Sequence, residues 1–308
     1  MEQVIQTFII GLSNGLIFAL VALGYTLVYG IIELINFAHG DVFMLGSMIA
    51  LALIAFVFHL SAATPPLTIV GVILLVIAIT MLITATINVT IERIAYRPLR
   101  NAPKLAPLIS AIGMSFVLQN IANLIAGPAN KSIDNFFPTT NLLSFVGITG
   151  VSVNLQQAFV AMVTLPLLVA LSWFVAKTRQ GRAMRATAQD PDTAGLMGVD
   201  VNRTIALTFL IGGALAGAAG VVQILYNNTT VWNLGFRFGL NSFTSAVLGG
   251  IGNLTGAVVG ALVLGQINAF SDRYLAANWT NAIVFGVLIA VLVFKPTGLL
   301  GQQLADRA

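Results

Sequence analysis

Cysteine is absent from the 308-residue chain, which excludes disulfides, thiol chemistry and cysteine metal sites. Histidine occurs only at His39 and His59, so a histidine metal cluster is excluded too, and no metal site is expected. Charge is scarce: 8% of residues are Asp, Glu, Lys or Arg, against 58% hydrophobic. A soluble domain carries about 45–50% apolar residues. With a mean hydropathy of +0.96, this is the composition of an integral membrane protein. The long apolar runs hold almost no charge, and a charged side chain at the bilayer centre costs about 2.5–3.5 kcal/mol on insertion scales. A carrier driven by protons or sodium is expected to keep ionisable groups there, so their scarcity favours a permease powered from outside the membrane. No G-x-x-x-x-G-K-[ST] stretch is present, which excludes ATP binding through a P-loop, and no cofactor is expected.

What the chain does have is length of apolar sequence. About 20 residues cross the hydrocarbon as a helix. On that ruler eight apolar segments are read, at 4–30, 42–58, 67–90, 105–126, 158–176, 204–225, 243–268 and 281–294. The expected fold is all-α: a polytopic membrane helix bundle of about eight transmembrane helices plus re-entrant or broken segments, forming one domain over 1–308. The first run lacks a basic n-region and a small-residue cleavage site and is too long for a signal sequence, so it is expected to stay as the first membrane helix.

The net charge of +4 and the pI near 9.7 do not point to nucleic acid. Nine of the fourteen Lys and Arg residues lie in two loops beside membrane segments, 91–104 and 177–203, which is the positive-inside pattern. Both loops are expected on the cytoplasmic side. The linkers 126–157 and 226–242 carry few charges, the second only Arg237, and read as the far side. Lys295 and Arg307 suggest a cytoplasmic C-terminus, which requires 243–268 to enter and return, with Gly249, Gly250, Gly252 and Gly256 supplying the break. A single tilted helix with small packing residues is the other reading. Gly252, Gly256 and Gly260, like Gly213 and Gly217, repeat at four-residue spacing and favour close helix packing.

Candidate pathway residues are polar groups in apolar surroundings. Asn36, His39 and Gly40, with Glu33 and Asp41 nearby, lie between the first two segments. They read either as a broken-helix site or gate, or as a wet interfacial turn. Ser115, Gln119 and Asn123 fall at i, i+4 and i+8 on the fourth segment, and either line the route or join helices by hydrogen bonds. Gly11-Leu12-Ser13-Asn14-Gly15 matches G-x-S-x-G, but a nucleophile elbow needs a strand before it and a helix after it. Here it lies within one apolar run, so packing is expected and no catalytic residue is assigned.

The loop 177–203 holds eight charges: Lys177, Arg179, Arg182, Arg185, Asp190, Asp192, Asp200 and Arg203. Asp190 before Pro191 reads as an N-cap with proline at the first helical position, and Gly198 as a stop, so a short helix is expected over Pro191–Met197. Asp200 is expected to cap the next segment. So short a helix is marginal alone, and Ala194, Leu196 and Met197 need an apolar surface.

Asp192-Thr193-Ala194 with Gly198 resembles the loop through which ABC importer permeases contact their ATPases. Longer runs agree: Ile35–Asp41, Ile91–Arg100, Gln180–Ala186, Leu248–Asn253 and Lys295–Gly301 resemble, in order and spacing, the LivH-type permeases of branched-chain amino acid ABC importers. The resemblance implies a non-catalytic membrane subunit of the bacterial cytoplasmic (inner) membrane that moves branched-chain or other neutral amino acids inward. The partners it implies are a second, LivM-type permease, two cytoplasmic ABC ATPases and a periplasmic or extracellular amino-acid-binding protein, with no nucleic acid. ATPase docking then falls to Arg182, Arg185, Asp190, Asp192, Ala194, Leu196, Met197 and Gly198. Related systems carry urea or short amides on the same scaffold, and Asp41 stands where glutamate is common. A stand-alone secondary transporter or channel is the alternative of a different class.

Overall fold

In the computed structural model, which describes residues 1–61, 64–100, 102–103, 105–138, 141–142 and 150–301, the long apolar runs fold as helices. In order, α1 is Glu2–Ile32, α2 His39–Ala52 with a π turn to Val57, α3 Pro66–Ile91 continued by tighter and wider turns to Leu99, and α4 Leu105–Ala126. There follow α5 Leu155–Lys177, α6 Arg179–Gln189, α7 Pro191–Leu196, α8 Val201–Asn227, α9 Leu234–Gly249, α10 Leu254–Ser271 and α11 Ala277–Phe294. Helix is the solution that satisfies every backbone N–H and C=O within the segment where no water can do so. Among the described residues, eight helices are long and apolar enough to cross a membrane. The chain is a polytopic helical membrane protein.

One expected segment is redrawn. Residues 243–268 are neither one tilted helix nor confined to those bounds: α9 begins at Leu234, α10 continues through a π turn to Ala276, and the chain reverses between Gly250 and Asn253. The reading of 226–242 as a loop is corrected with it. Arg237 and Asn241 depress the hydropathy of this stretch, yet Gly235 and Gly239 let it pack as helix against α2.

The centre is α1, whose residues 15–28 are buried on all faces. A helix apolar all round belongs in an interior. It runs antiparallel to α10, with Gly11 against Gln266, Gly15 against Leu262, and the Gly265 backbone close to both glycines. The G-x-S-x-G match is therefore a seat for a neighbouring helix. Ser13 spends its hydroxyl on the Ile9 carbonyl, at 3.1 Å. A second antiparallel pair forms where Gly213 and Gly217 of α8 pack on Asn88, Ala85 and Thr84 of α3. α4, α5 and α11 cover the outside and stay largely exposed.

The two basic loops lie at one end of the bundle. Arg100, after α3, pairs with buried Glu92 and donates to Asn202 at the start of α8, at 2.6 Å. Burial pulls the Arg100 guanidinium below its usual pKa, and the Glu92 carboxylate opposes this. The weakly charged linkers meet at the opposite end. There Lys131–Ser132 (β1) pairs antiparallel with Thr229–Thr230 (β2), and the Gln6 side chain accepts from the Ser152 N–H at 2.9 Å. The N-terminus thus lies at the weakly charged end. Lys295 lies at the basic end, while Lys104 and Arg307 fall outside the described residues.

Candidate functional site

Two short helices meet head to head inside the bundle. α1 ends at Glu33, which is in the left-handed region (φ 52°) and closes the last turn onto Tyr29. The chain then doubles back through Asn36, which is buried and accepts a hydrogen bond from the Tyr96 hydroxyl at 3.0 Å. α2 starts at His39, fully buried, its ring 4.9 Å from that of Tyr25 and so close to Gly24 that a methyl there would overlap it. Gly40 is the point of contact with α9: a Cβ on it would strike the Gly235 carbonyl and lie 2.7 Å from Gly239 Cα. Asp41, buried, accepts from Ser115 of α4, and Ser115 in turn accepts from Gln119 Nε2 at 3.1 Å. Its other oxygen lies against Gly235, in the first turn of α9.

This meeting is deep in the bundle. The His39 ring lies 3.6 Å from where a Gly212 Cβ would be. Gly212 sits within α8 about 16 Å from one end and about 22 Å from the other at the helical rise of about 1.5 Å per residue.

Beside it opens a cavity of about 540 Å³ between α4 and α9. Phe37, Ile112, Phe116, Phe236 and Phe243 make it apolar, while Ser115, Gln119, Asn233 and Arg237 are its polar lining. The stripe expected on α4 is therefore divided. Ser115 and Gln119 face the cavity, and Asn123 lies outside the lining.

The glycine break is held by the chain's own C-terminal turn. Gly250 and Gly252 have φ of 107° and 92°, a region open to glycine with little strain. Leu299 and Leu300 donate their N–H groups to Leu248 and Gly249 at 2.8 and 3.0 Å, and Asn253 Nδ2 donates to Leu300 at 2.8 Å. Gly298 (φ 75°) and Gly301 let this turn lie directly on Gly250. Gly249 is buried against Gly256. Ile35 and Ile251 line one narrow crevice with Tyr25 and Tyr29, so the turn after α1 and the break before α10 face the same space.

At the basic end, Asp190 accepts from the N–H groups of Asp192 and Thr193 at 3.0 and 3.1 Å and so starts α7. Gly198 (φ 86°) stops it, and Asp200 caps α8 through the Arg203 N–H at 3.0 Å. Ala194 is buried in this chain, whereas Leu196 and Met197 are 88% and 81% exposed. Arg182 and Asp192 are exposed, and Arg185 donates to the Val175 carbonyl. Beside them Arg179, Gly198, Val199, Asp200, Arg203 and Leu207 line a cleft of about 530 Å³.

The family model for the permease component of branched-chain amino acid transport systems matches residues 7–292. The chain belongs to this permease family. It is 41% identical over 303 residues to the high-affinity branched-chain amino acid transport system permease protein BraD of Pseudomonas aeruginosa, covering 98% of this chain and 97% of the relative. It is 40% identical over 307 residues to the permease protein LivH of Escherichia coli, with the same coverage. A probable LivH of Methanocaldococcus jannaschii is 30% identical over 97% of this chain and 93% of its own length. No solved structure matches the chain.

In this permease, two features escaped the sequence. The charge of α6 reads as loop, but Thr178 caps it by accepting from the Gly181 N–H at 3.0 Å, and Gly181, Met184 and Thr187 make a buried face. Arg237 counts, on hydropathy, with the weakly charged linker 226–242 on the far side. The spacing Gly235-x-x-x-Gly239 around it is the signal that could have placed it on a packed helix.

Proposed function

We propose that this permease is the membrane subunit of an ABC importer that moves branched-chain or other neutral amino acids into the cytoplasm across a bacterial inner membrane. The observation that carries the substrate class is the 40–41% identity, over 98% of the chain, to permeases named for branched-chain amino acids. A second LivM-type permease completes the pathway, two ATPases supply the energy and an extracytoplasmic binding protein delivers the solute. The exposed pair Leu196 and Met197, on a capped helix at the basic end, supports docking of an ATPase through Arg182, Arg185, Asp192, Leu196 and Met197, with Asp190, buried Ala194 and Gly198 shaping and seating the helix that presents them. Ser115 and Gln119 line the pathway, and Asn36, His39 and Gly40, with the break at Gly249, Gly250 and Gly252, form or gate it, while Asn123, outside the cavity lining, is left to helix joining. Affinity resides mainly in the binding protein, and the permease is a weakly binding passage.

The test is ATP-driven uptake of radiolabelled solute by the reconstituted complex, with unlabelled competitors. Leucine, isoleucine, valine or another neutral amino acid is expected to compete, and lysine and glutamate to fail. Exclusive uptake of urea would transfer the permease to the amide carriers. Uptake that persists without ATPases would make it a stand-alone transporter.

A further inference from the structure

We propose that Arg237, together with the Asp41–Ser115–Gln119 chain, forms a zwitterion subsite in the α4–α9 cavity. The guanidinium receives the carboxylate of the passing amino acid, the polar chain receives its ammonium group, and the aromatic lining receives its side chain. This rests on the reading of the permease as a neutral amino acid carrier and deepens it by naming where the substrate is held.

The starting point is an unexplained charge. Arg237 is exposed, and among the described residues it has no ion pair or hydrogen bond. It lies between Gly235 and Gly239, the residues that touch Asp41 and Gly40, so it stands at the depth of the head-to-head meeting and not at the bundle's end. A cation facing hydrocarbon at that depth is strongly disfavoured, and intramembrane charges face a wet cavity or a partner group. Arg237 lines the α4–α9 cavity, whose polar groups include Ser115, Gln119 and Asn233.

The lining fits one ligand chemistry. Guanidinium presents a planar fork that matches a carboxylate in a bidentate way. Ser115 and Gln119 line the same cavity and are hydrogen-bonded, directly and in series, to the buried Asp41 carboxyl group, so that part of the lining offers oxygen acceptors suited to an ammonium. Phe37, Phe116, Phe236 and Phe243 supply apolar surface for a hydrocarbon side chain. The cavity of about 540 Å³ is within the usual range of about 300–1,000 Å³ for small-molecule sites. A free amino acid leaves part of that volume to water, which suits brief occupancy.

The experiment uses the whole reconstituted complex, with photo-leucine, a diazirine analogue of leucine, as the probe, and compares wild type with Arg237→Gln and Arg237→Lys. In wild type the probe is expected to label residues of 231–243 or of α4, and excess leucine to suppress the labelling. Arg237→Gln should abolish that labelling and lower leucine uptake about tenfold or more, the scale of one lost charge-assisted bond. Arg237→Lys should restore part of both. Three results would overturn the subsite: uptake by Arg237→Gln within about twofold of wild type on that same scale, unchanged labelling in that variant, or loss of the second permease when it is purified. The last would make Arg237 an assembly residue paired with an acidic group of the partner. If wild type itself imports no neutral amino acid, the functional reading fails, and the labelling pattern is judged separately.

Discussion

Gly40 shows how much of this molecule depends on single missing methyl groups. Its Cα faces the Gly235 carbonyl and Gly239, so α2 and α9 approach with no side chain between them. Gly40→Ala puts a Cβ into backbone, which cannot rotate away, and overpacking of that kind costs about 1–3 kcal/mol. The unfolding midpoint of the detergent-solubilised protein is expected to fall by several degrees, and leucine uptake to fall with it. Gly286 is the control, because it lies in α11 with nothing near the position of an added Cβ. Gly286→Ala should be neutral or stabilise by about 0.5–1 kcal/mol, since alanine loses less freedom in a helix. Equal midpoints for the two variants would remove the argument that the α2–α9 contact is close-packed.

At the scale of elements, the cap of α7 was legible in sequence because its chemistry is local: Asp190, Pro191 and Gly198 specify start and stop within nine residues. Asp190→Ala removes an acceptor that two backbone N–H groups share and should cost about 1 kcal/mol of helix stability. The expected consequence is weaker coupling of ATP hydrolysis to uptake. Leu196→Asp is the sharper test, because the side chain is exposed and its replacement leaves the permease core untouched. ATPase subunits should no longer co-purify, while membrane insertion and the second permease are retained. Gly198→Arg, at φ 86°, and Ala194→Glu, at a buried position, should uncouple as well. Normal ATP-driven uptake by Leu196→Asp, and by either Gly198→Arg or Ala194→Glu, would argue against docking at this loop. α6 and α9 were not legible for the opposite reason. Their stability comes from tertiary contact, through small or polar residues such as Gly181, Thr187, Gly235 and Gly239, and such residues leave no trace in a hydropathy window.

The same distinction runs through the site. The sequence pointed to Ser115 and Gln119, because an amide and a hydroxyl on an apolar helix stand out at helical spacing. It also pointed to the break at Gly250, because successive glycines interrupt a helix. Arg237 does not stand out that way: its charge only lowers the local hydropathy, and the Gly235-x-x-x-Gly239 spacing around it is the one local sign of a packed helix. The scarcity of charge in the apolar runs does not extend to the helix starts: Asp41 and Arg237 both lie in the first turns of α2 and α9, where these helices meet. The runs Ile35–Asp41 and Ile91–Arg100 meet through Asn36 and Tyr96, and Leu248–Asn253 and Lys295–Gly301 meet through backbone hydrogen bonds. Stretches far apart in sequence are thus matched surfaces in space.

For the whole molecule, the contacts fix which ends of the helices lie together, and the charge pattern then fixes which end is inside. β1 pairs with β2 and Gln6 with Ser152, so residues 3, 132 and 229 share the weakly charged end, while Leu196 and the loop after α3 share the basic one. The N-terminus is therefore expected outside and the turn at Lys295–Gly301 inside. Because the chain has no cysteine, single cysteines introduced at Gln3, Ser132, Thr229 and Leu196 need no background removed. All four positions are exposed. In right-side-out vesicles a membrane-impermeant maleimide should label the cysteines at positions 3, 132 and 229 and spare that at 196, and inside-out vesicles should reverse the pattern. Labelling of positions 3 and 132 from opposite sides would contradict the Gln6–Ser152 contact and with it the antiparallel seating of α1 on α10. Labelling of position 196 from outside would invert the whole bundle and leave no route for an ATPase to reach α7.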